Sequence, residues 1–205
     1  ITALDIAASM LKAGSYKYAL VIGSEKMSEI VNWKDRSVCV LFGDGAGAVV
    51  LKAVDNNTED VTGASAGQER GIIDSNIYND GTGASVLTGG RRFPDSRSTD
   101  MFIHMDGQEV FKFAVKSVPT AIETLLHNNN MDINDVDKFI LHQANVRIIE
   151  SVAKRLKADK DKFPVNLNEY GNTSSASIPI LLDELNRNGS LKQGEKLILA
   201  GLVQD

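Results

Sequence analysis

The sequence predicts an α/β fold, on three observations. Short apolar runs of strand length occur, such as YALVIGSE (18–25) and KLILA (196–200). Stretches with apolar residues at helical spacing lie between them, and the two patterns alternate through the second half of the chain. With 205 residues the chain can bury a substantial core, as one large domain or two smaller ones. It is 42% hydrophobic and 24% charged, ordinary proportions for a globular protein. A net charge of −5 argues against the basic footprint of a nucleic-acid binder, but leaves room for a local basic patch facing an acidic partner. The single cysteine, Cys39, excludes an intrachain disulfide and a cysteine zinc cluster, which fits a cytoplasmic location. No apolar run approaches the roughly 18 residues of a membrane span, and no segment reads as a signal peptide.

Taken in order, ITALDIAASMLKAG (1–14) reads as an amphipathic helix that Gly14 ends. The pattern begins at Ile1 with no capping residue before it, and the last strand is followed only by LVQD. Both ends therefore read as the interior of a longer chain. YALVIGSE is expected to be a buried strand, and SEIVNWKDRS (28–37) a polar loop. SVCVLFGDGAGAVVLKAV (37–54) reads as two strands joined at the glycine cluster. Residues 55–70 are polar and turn-rich, GIIDSNIYND (71–80) is expected to be a strand, and 81–100 a surface loop. MFIHM (101–105) reads as a short strand. From Asp106, GQEVFKFAVKSVPTAIETLLHNN (107–129) is helical, with Val110, Phe113, Ala114, Val118, Ile122 and Leu125 near one face and a kink or break expected at Pro119. KFIL (138–141) is a strand, NVRIIESVAKRLK (145–157) a helix and FPVNL (163–167) a short strand. SASIPILLDELNRNG (175–189) is a helix with Ser175 or Ser177 near its cap and Pro179 in an early turn, and KLILA closes the series.

Several motifs carry less than they first suggest. GDGAGA (43–48) lacks both the dinucleotide spacing and the phosphate-loop lysine, and a strand pattern follows it, so it reads as a tight strand connection. Cys39 lies between apolar residues with no neighbour to activate it, and reads as packing. His104 and His127 read as structural or solvated. The N-x-T/S matches at Asn56, Asn172 and Asn188 are chance patterns in a cytoplasmic protein.

His142 is different, because it sits where an apolar strand gives way to a helix. That is where α/β sheets present ligands and reacting groups. YGNTSSAS (170–177) is expected to repeat the arrangement, with Asn172 in the turn between strand and helix. Two such units could bring His142 and Asn172 over one pocket, as a pair of hydrogen-bond donors for a developing oxyanion. A packed histidine and a capping asparagine remain the alternative on spacing alone.

The combination of LHQANVRI (141–148), YGNTSSASIP (170–179), DRSVCVLFGDGAGAVVL (35–51) and GQEVFKFAV (107–115) resembles the β-ketoacyl-acyl-carrier-protein synthase III family. These are initiating condensing enzymes of bacterial fatty-acid synthesis, with a thiolase-like layered fold. The resemblance runs from Ile1 to about Gly201, with the four motifs in family order. It implies an incomplete fold here: residues 1–100 as the remainder of an N-terminal half and 101–205 as most of a C-terminal half. It implies a Cys-His-Asn triad, of which His142 and Asn172 match the second and third members. The cysteine motif has no counterpart. ITALDIAAS resembles the family segment directly after that motif, which places the nucleophile about four residues before Ile1, at a helix start. The family's glycine-rich loop after the last strand also lacks a counterpart.

The resemblance further implies acyl-coenzyme A and malonyl-acyl-carrier protein as substrates, a homodimer, and no permanently bound cofactor or metal. Arg36 matches a clamp on the adenine and phosphate end of coenzyme A. Gly107, Phe111, Ala144 and Asn145 match the lining of the pantetheine tunnel, and Phe42 a wall of the acyl pocket. Lys112, Arg147, Lys154 and Arg155 match a basic patch for the acidic carrier protein, in agreement with the locally basic AKRLKADKDK (153–162). Two other readings stay open: another thiolase-fold acyltransferase, and a catalytically inactive protein that binds acyl carriers or coenzyme A. The chain alone is expected to be inert in condensation and to expose apolar sheet surface.

Overall fold

The computed structural model describes residues 1–54, 71–89 and 101–202. The turn-rich segment expected at 55–70 and the second half of the loop expected at 81–100 lie outside the described residues, as does Asn56.

The first helix, α1 (Thr2–Lys12), forms as its apolar spacing requires. It ends where Gly14 takes φ +77°, with its N–H bonded to the Leu11 carbonyl and that of Ser15 to the Met10 carbonyl. Strand β1 (Tyr18–Glu25) pairs antiparallel with β2 (Gly45–Lys52), from Tyr18 opposite Lys52 to Glu25 opposite Gly45. The expectation of a buried β1 is corrected. Tyr18, Leu20 and Ile22 are 59–62% exposed and Val50 opposite Leu20 is 68% exposed, so one face of this pair is apolar and uncovered.

The strand expected at SVCVLF does not form either. The Asp35 side chain accepts from the Ser37 N–H at 2.9 Å, and the Val38 and Cys39 N–H groups both bond the Asp35 carbonyl. That local capping wraps residues 36–41 into turns despite their apolar, β-branched composition. The glycines of GDGAGA consequently lie before and within β2, not in a strand connection.

GIIDSNIYND runs without a ladder partner, correcting the strand expected there. Short β3 (Leu87–Gly89) and β4 (Ile103–Met105) pair antiparallel. Helix α2 (Gly107–Asn128) starts on Asp106, whose carboxylate accepts from the N–H groups of Gln108 and Glu109. It passes through Pro119 without dividing, and it buries Ala114, Val118, Ile122 and Leu126, one position along from the Leu125 expected.

Strand β5 (Lys138–Leu141) pairs in parallel with β6 (Leu197–Ala200). Between them lie α3 (Val146–Leu156), the single-turn α4 (Leu167–Tyr170) and α5 (Ser177–Arg187). FPVNL is not a strand: Phe163 stacks on Phe139 at 4.6 Å between ring centroids, and Asn166 begins α4. The short strand expected before Asn172 is accordingly a helical turn.

Four layers result. Helices α2 and α3 cover one face of β5, packing Val118, Ile122, Ile149 and Val152 around Phe139 and Leu141. Helix α5 covers the other face through Ile178, Leu181 and Leu185 against Ile140. The same α5 lies on β2, and α1 shares its layer on the covered face of β1–β2. This is a thiolase-like layered α/β arrangement.

The contact between the segment 170–180, which leads into α5, and the first sheet has almost no clearance. A Cβ on Gly43 would lie 2.1 Å from the Tyr170 carbonyl oxygen. On Gly45, Gly47 and Gly23 it would lie 2.8–2.9 Å from Ile180, Pro179 and Ser175. Close backbone approach is what these glycines permit. Gly43→Ala should therefore destabilise the protein by about 3 kcal/mol or more. Gly81→Ala, which meets open space, should stay within about 0.5 kcal/mol of wild type. Urea unfolding midpoints of the two variants check this pair.

Candidate active site

Strand β5 delivers His142 at its C-terminal end, where the His142 N–H bonds the Ala200 carbonyl of β6 at 2.8 Å. The chain then turns through Gln143 and Ala144 to Asn145, whose side chain caps α3 by accepting from the Arg147 N–H at 2.9 Å. His142 thus stands in the gap between the strand end and the helix start.

Three other elements converge there. A Cβ on Gly201, just beyond β6, would lie 3.4 Å from Ile1 Cγ1, 3.6 Å from Ile178 Cδ1 and 3.9 Å from His142 Cβ. The N-terminus of α1, the start of α5 and the ends of β5 and β6 therefore share one small volume. Ser177, buried in the first turn of α5, places its Oγ 2.7 Å from His142 Nδ1. The same Oγ accepts from the Gln143 N–H at 3.3 Å. Gln143 is itself buried, donating through Nε2 to the Leu141 carbonyl and accepting from the Asn166 N–H.

Asn172 lies five residues before Ser177 on the segment that leads into α5. Its backbone bridges the turn 36–41, with its N–H on the Leu41 carbonyl and its carbonyl accepting from the Gly43 N–H. Its side-chain Oδ1 accepts from the Ser174 N–H at 2.9 Å. That bond orients the amide and leaves Nδ2 as the donor on its other side.

The remaining sequence-predicted residues fall into three places. Phe42, half-buried, forms the isolated bridge to Asn172. Ala144 and Asn145 lie in the turn two and three residues after His142, whereas Gly107 and Phe111 lie in the first turns of α2 and Arg36 is exposed at the turn before Phe42. Arg147, Lys154 and Arg155 are exposed on α3. Arg155 reaches across to the Val115 carbonyl of α2, one turn from Lys112, which pairs with Glu109 at 2.6 Å. Cys39 is half-buried in the turn, away from any strand. Among the described residues no group of His, Cys, Asp or Glu is placed to hold a metal ion, and no helix is long and apolar enough to cross a membrane.

Sequence reading passed over Ser177 as a partner of His142, treating it only as a cap, and did not single out Gln143 or Gly201. The available signal was a serine and a glutamine at positions that the helix and strand patterns bury.

Burial holds the His142 imidazole well below the usual histidine range, at about 4. The ring is neutral at pH 7. As pH falls, the unfolded chain takes up the proton first, so stability is lost between about 6.5 and 4. His142→Asn should flatten that part of the stability–pH profile, which denaturant unfolding at several pH values measures.

Comparison with known proteins matches the same segments. The family model of 3-oxoacyl-[acyl-carrier-protein] synthase III covers residues 1–71, and that of its C-terminal region covers 126–203. A β-ketoacyl-[acyl-carrier-protein] synthase III of Clostridium acetobutylicum is 42% identical over 98% of this chain and 60% of its own length. The crystal structure of the Aquifex aeolicus synthase III superposes with a TM-score of 0.84 at 40% identity, over 98% of this chain and 59% of that one. The Thermus thermophilus enzyme gives 0.87 at 35% identity, over 99% and 60%. The chain spans about 60% of the length of these relatives. It belongs to the 3-oxoacyl-[acyl-carrier-protein] synthase III family.

Proposed function

We propose that the protein carrying this chain is an initiating condensing enzyme of bacterial type II fatty-acid synthesis. It joins an acyl group from acyl-coenzyme A to malonyl-acyl-carrier protein. The observation that carries the reading is the neutral His142 at the end of β5, in the same small volume as the start of α1 and Ser177 of α5. Family membership supplies the reaction class.

The nucleophile is a cysteine in the chain preceding Ile1. Placed before α1, its thiolate gains from the helix dipole. The thiolate attacks the acyl-coenzyme A carbonyl, forms the acyl-cysteine and releases coenzyme A thiolate. Malonyl-carrier protein then loses carbon dioxide, and the bond electrons pass into a thioester enolate. His142 Nε2–H and Asn172 Nδ2–H donate to the enolate oxygen. The enolate carbon attacks the acyl-cysteine carbonyl, and the cysteine thiolate leaves. Neutrality suits His142 to this role, because the ring acts as a hydrogen-bond donor throughout.

Arg36 clamps the adenine and phosphate end of coenzyme A, and Gly107, Phe111, Ala144 and Asn145 line the pantetheine path. Phe42 walls the acyl pocket beside Asn172. Lys112, Arg147, Lys154 and Arg155 steer the acidic carrier protein. In support, Arg147 and Lys154 are seven residues apart on α3, so they share a face, and Arg155 ties α3 to the α2 segment carrying Lys112. The chain divides into two structural halves, 1–100 and 101–205. The enzyme works in the cytoplasm as a homodimer without a permanently bound cofactor. The uncovered apolar face of β1–β2 fits a protein in which further layers or a second subunit pack there.

Asn172→Ala in the full protein should lower malonyl-carrier-protein decarboxylation and condensation by about 10²–10³. A wild-type decarboxylation rate in that variant would remove Asn172 from the proposed role.

A further inference from the structure

We infer that Ser177 is a positioning residue that fixes the tautomer of His142, so that Nδ1 accepts and Nε2 carries the proton. The inference deepens the proposed function and rests on it only for the activity readout.

The geometry assigns the hydrogens. A backbone N–H can only donate, so the Gln143 N–H, 3.3 Å from Ser177 Oγ, occupies a lone pair of that oxygen. His142 Nδ1, at 2.7 Å, is then the acceptor for the Ser177 hydroxyl proton. The reverse arrangement would put an Nδ1–H on the same oxygen and leave the serine proton turned away from its nearest acceptor. For a side chain only 3% exposed, an unmade hydrogen bond is costly. With Nδ1 accepting, Nε2 keeps its hydrogen in the neutral ring, and the ring's free edge is a donor.

A polar chain, buried at Gln143 and Asn166, holds this unit in place. Glu184 Oε2 accepts from Asn166 Nδ2 at 2.7 Å, and the Asn166 N–H donates to Gln143 Oε1 at 3.2 Å. Gln143 also donates through Nε2 to the Leu141 carbonyl at 2.8 Å. The peptide following His142 is thereby pinned from α5, from α4 and from β5. Each end of the relay sits on α5: Glu184 two turns along, Ser177 in the first turn. The helix that carries the hydroxyl also anchors the backbone amide that orients it.

The test uses the full protein with ¹⁵N-labelled histidine, His142 being identified by the signal lost in His142→Asn. Wild type should show an unprotonated Nδ1 and a protonated Nε2. Ser177→Thr and Ser177→Val add similar bulk, but only threonine keeps the hydroxyl. The threonine variant should retain the wild-type tautomer, and the valine variant, with nothing donating to Nδ1, should show a mixture of the two tautomers. The valine variant should also lose about 10–100-fold in decarboxylation kcat relative to threonine, a cost of the order seen on removing the outer partner of a ligating histidine. KM for the malonyl thioester should stay unchanged. An Nδ1–H signal in wild type, or the same single tautomer in both variants, with no mixture in valine, overturns the inference. A wild-type protein with this tautomer but no condensation activity would overturn the functional reading and leave the role of Ser177 standing.

Discussion

The near-contact of the segment 170–180 with the first sheet is the constraint on which the candidate site depends. Gly23 and Gly43 leave room for backbone to approach backbone, Gly45 and Gly47 for the side chains of Ile180 and Pro179, and a single Cβ at Gly43 would fall 2.1 Å from the Tyr170 carbonyl oxygen. Because that approach is permitted, the Asn172 peptide can bond both Leu41 and Gly43, and α5 can lie flat between two sheets. One helix thereby meets β1–β2 on one side and the end of β5 on the other. Asn172 and Ser177 take their positions from the first contact, and His142 meets Ser177 through the second.

Electrostatics then decide what His142 can do. The surroundings offer it neighbours with little charge, and burial keeps its ring neutral. A neutral ring with one nitrogen engaged by Ser177 has one function left at the other nitrogen. Asn172 is arranged in the same manner, with Oδ1 held by the Ser174 N–H and the amide hydrogens left over. In each group one polar atom is held by a hydrogen bond and the other end of the side chain is left as a donor. That is the preorganisation expected of donors that must be in place before charge develops.

Much of this architecture was legible in the sequence where a single local pattern governed. Helices α1, α2, α3 and α5 and strands β1, β2, β4, β5 and β6 follow their periodicities, and Asp106 and Gly14 mark ends by ordinary capping chemistry. The failures share a physical origin. SVCVLF has strand composition, but the Asp35 carboxylate closes a turn before any strand partner is available. FPVNL has an apolar, strand-like composition, yet Phe163 stacks against Phe139 and Leu167 already belongs to α4. The glycines of GDGAGA signal backbone freedom, but whether for a turn or for a close neighbour depends on a helix more than a hundred residues away. Ser177 could be read as a cap; its bond to His142 depends on how α5 meets β5, which no local spacing encodes.

The central claim is that this site serves acyl transfer from a cysteine preceding α1, with His142 and Asn172 acting on the second substrate. The most direct measurement is peptide mapping of the full protein by mass spectrometry after exposure to acetyl-coenzyme A. The account predicts one acetyl group, on a cysteine a few residues before Ile1, with Cys39 unmodified. Acetylation of Cys39, or of no cysteine at all, would contradict it.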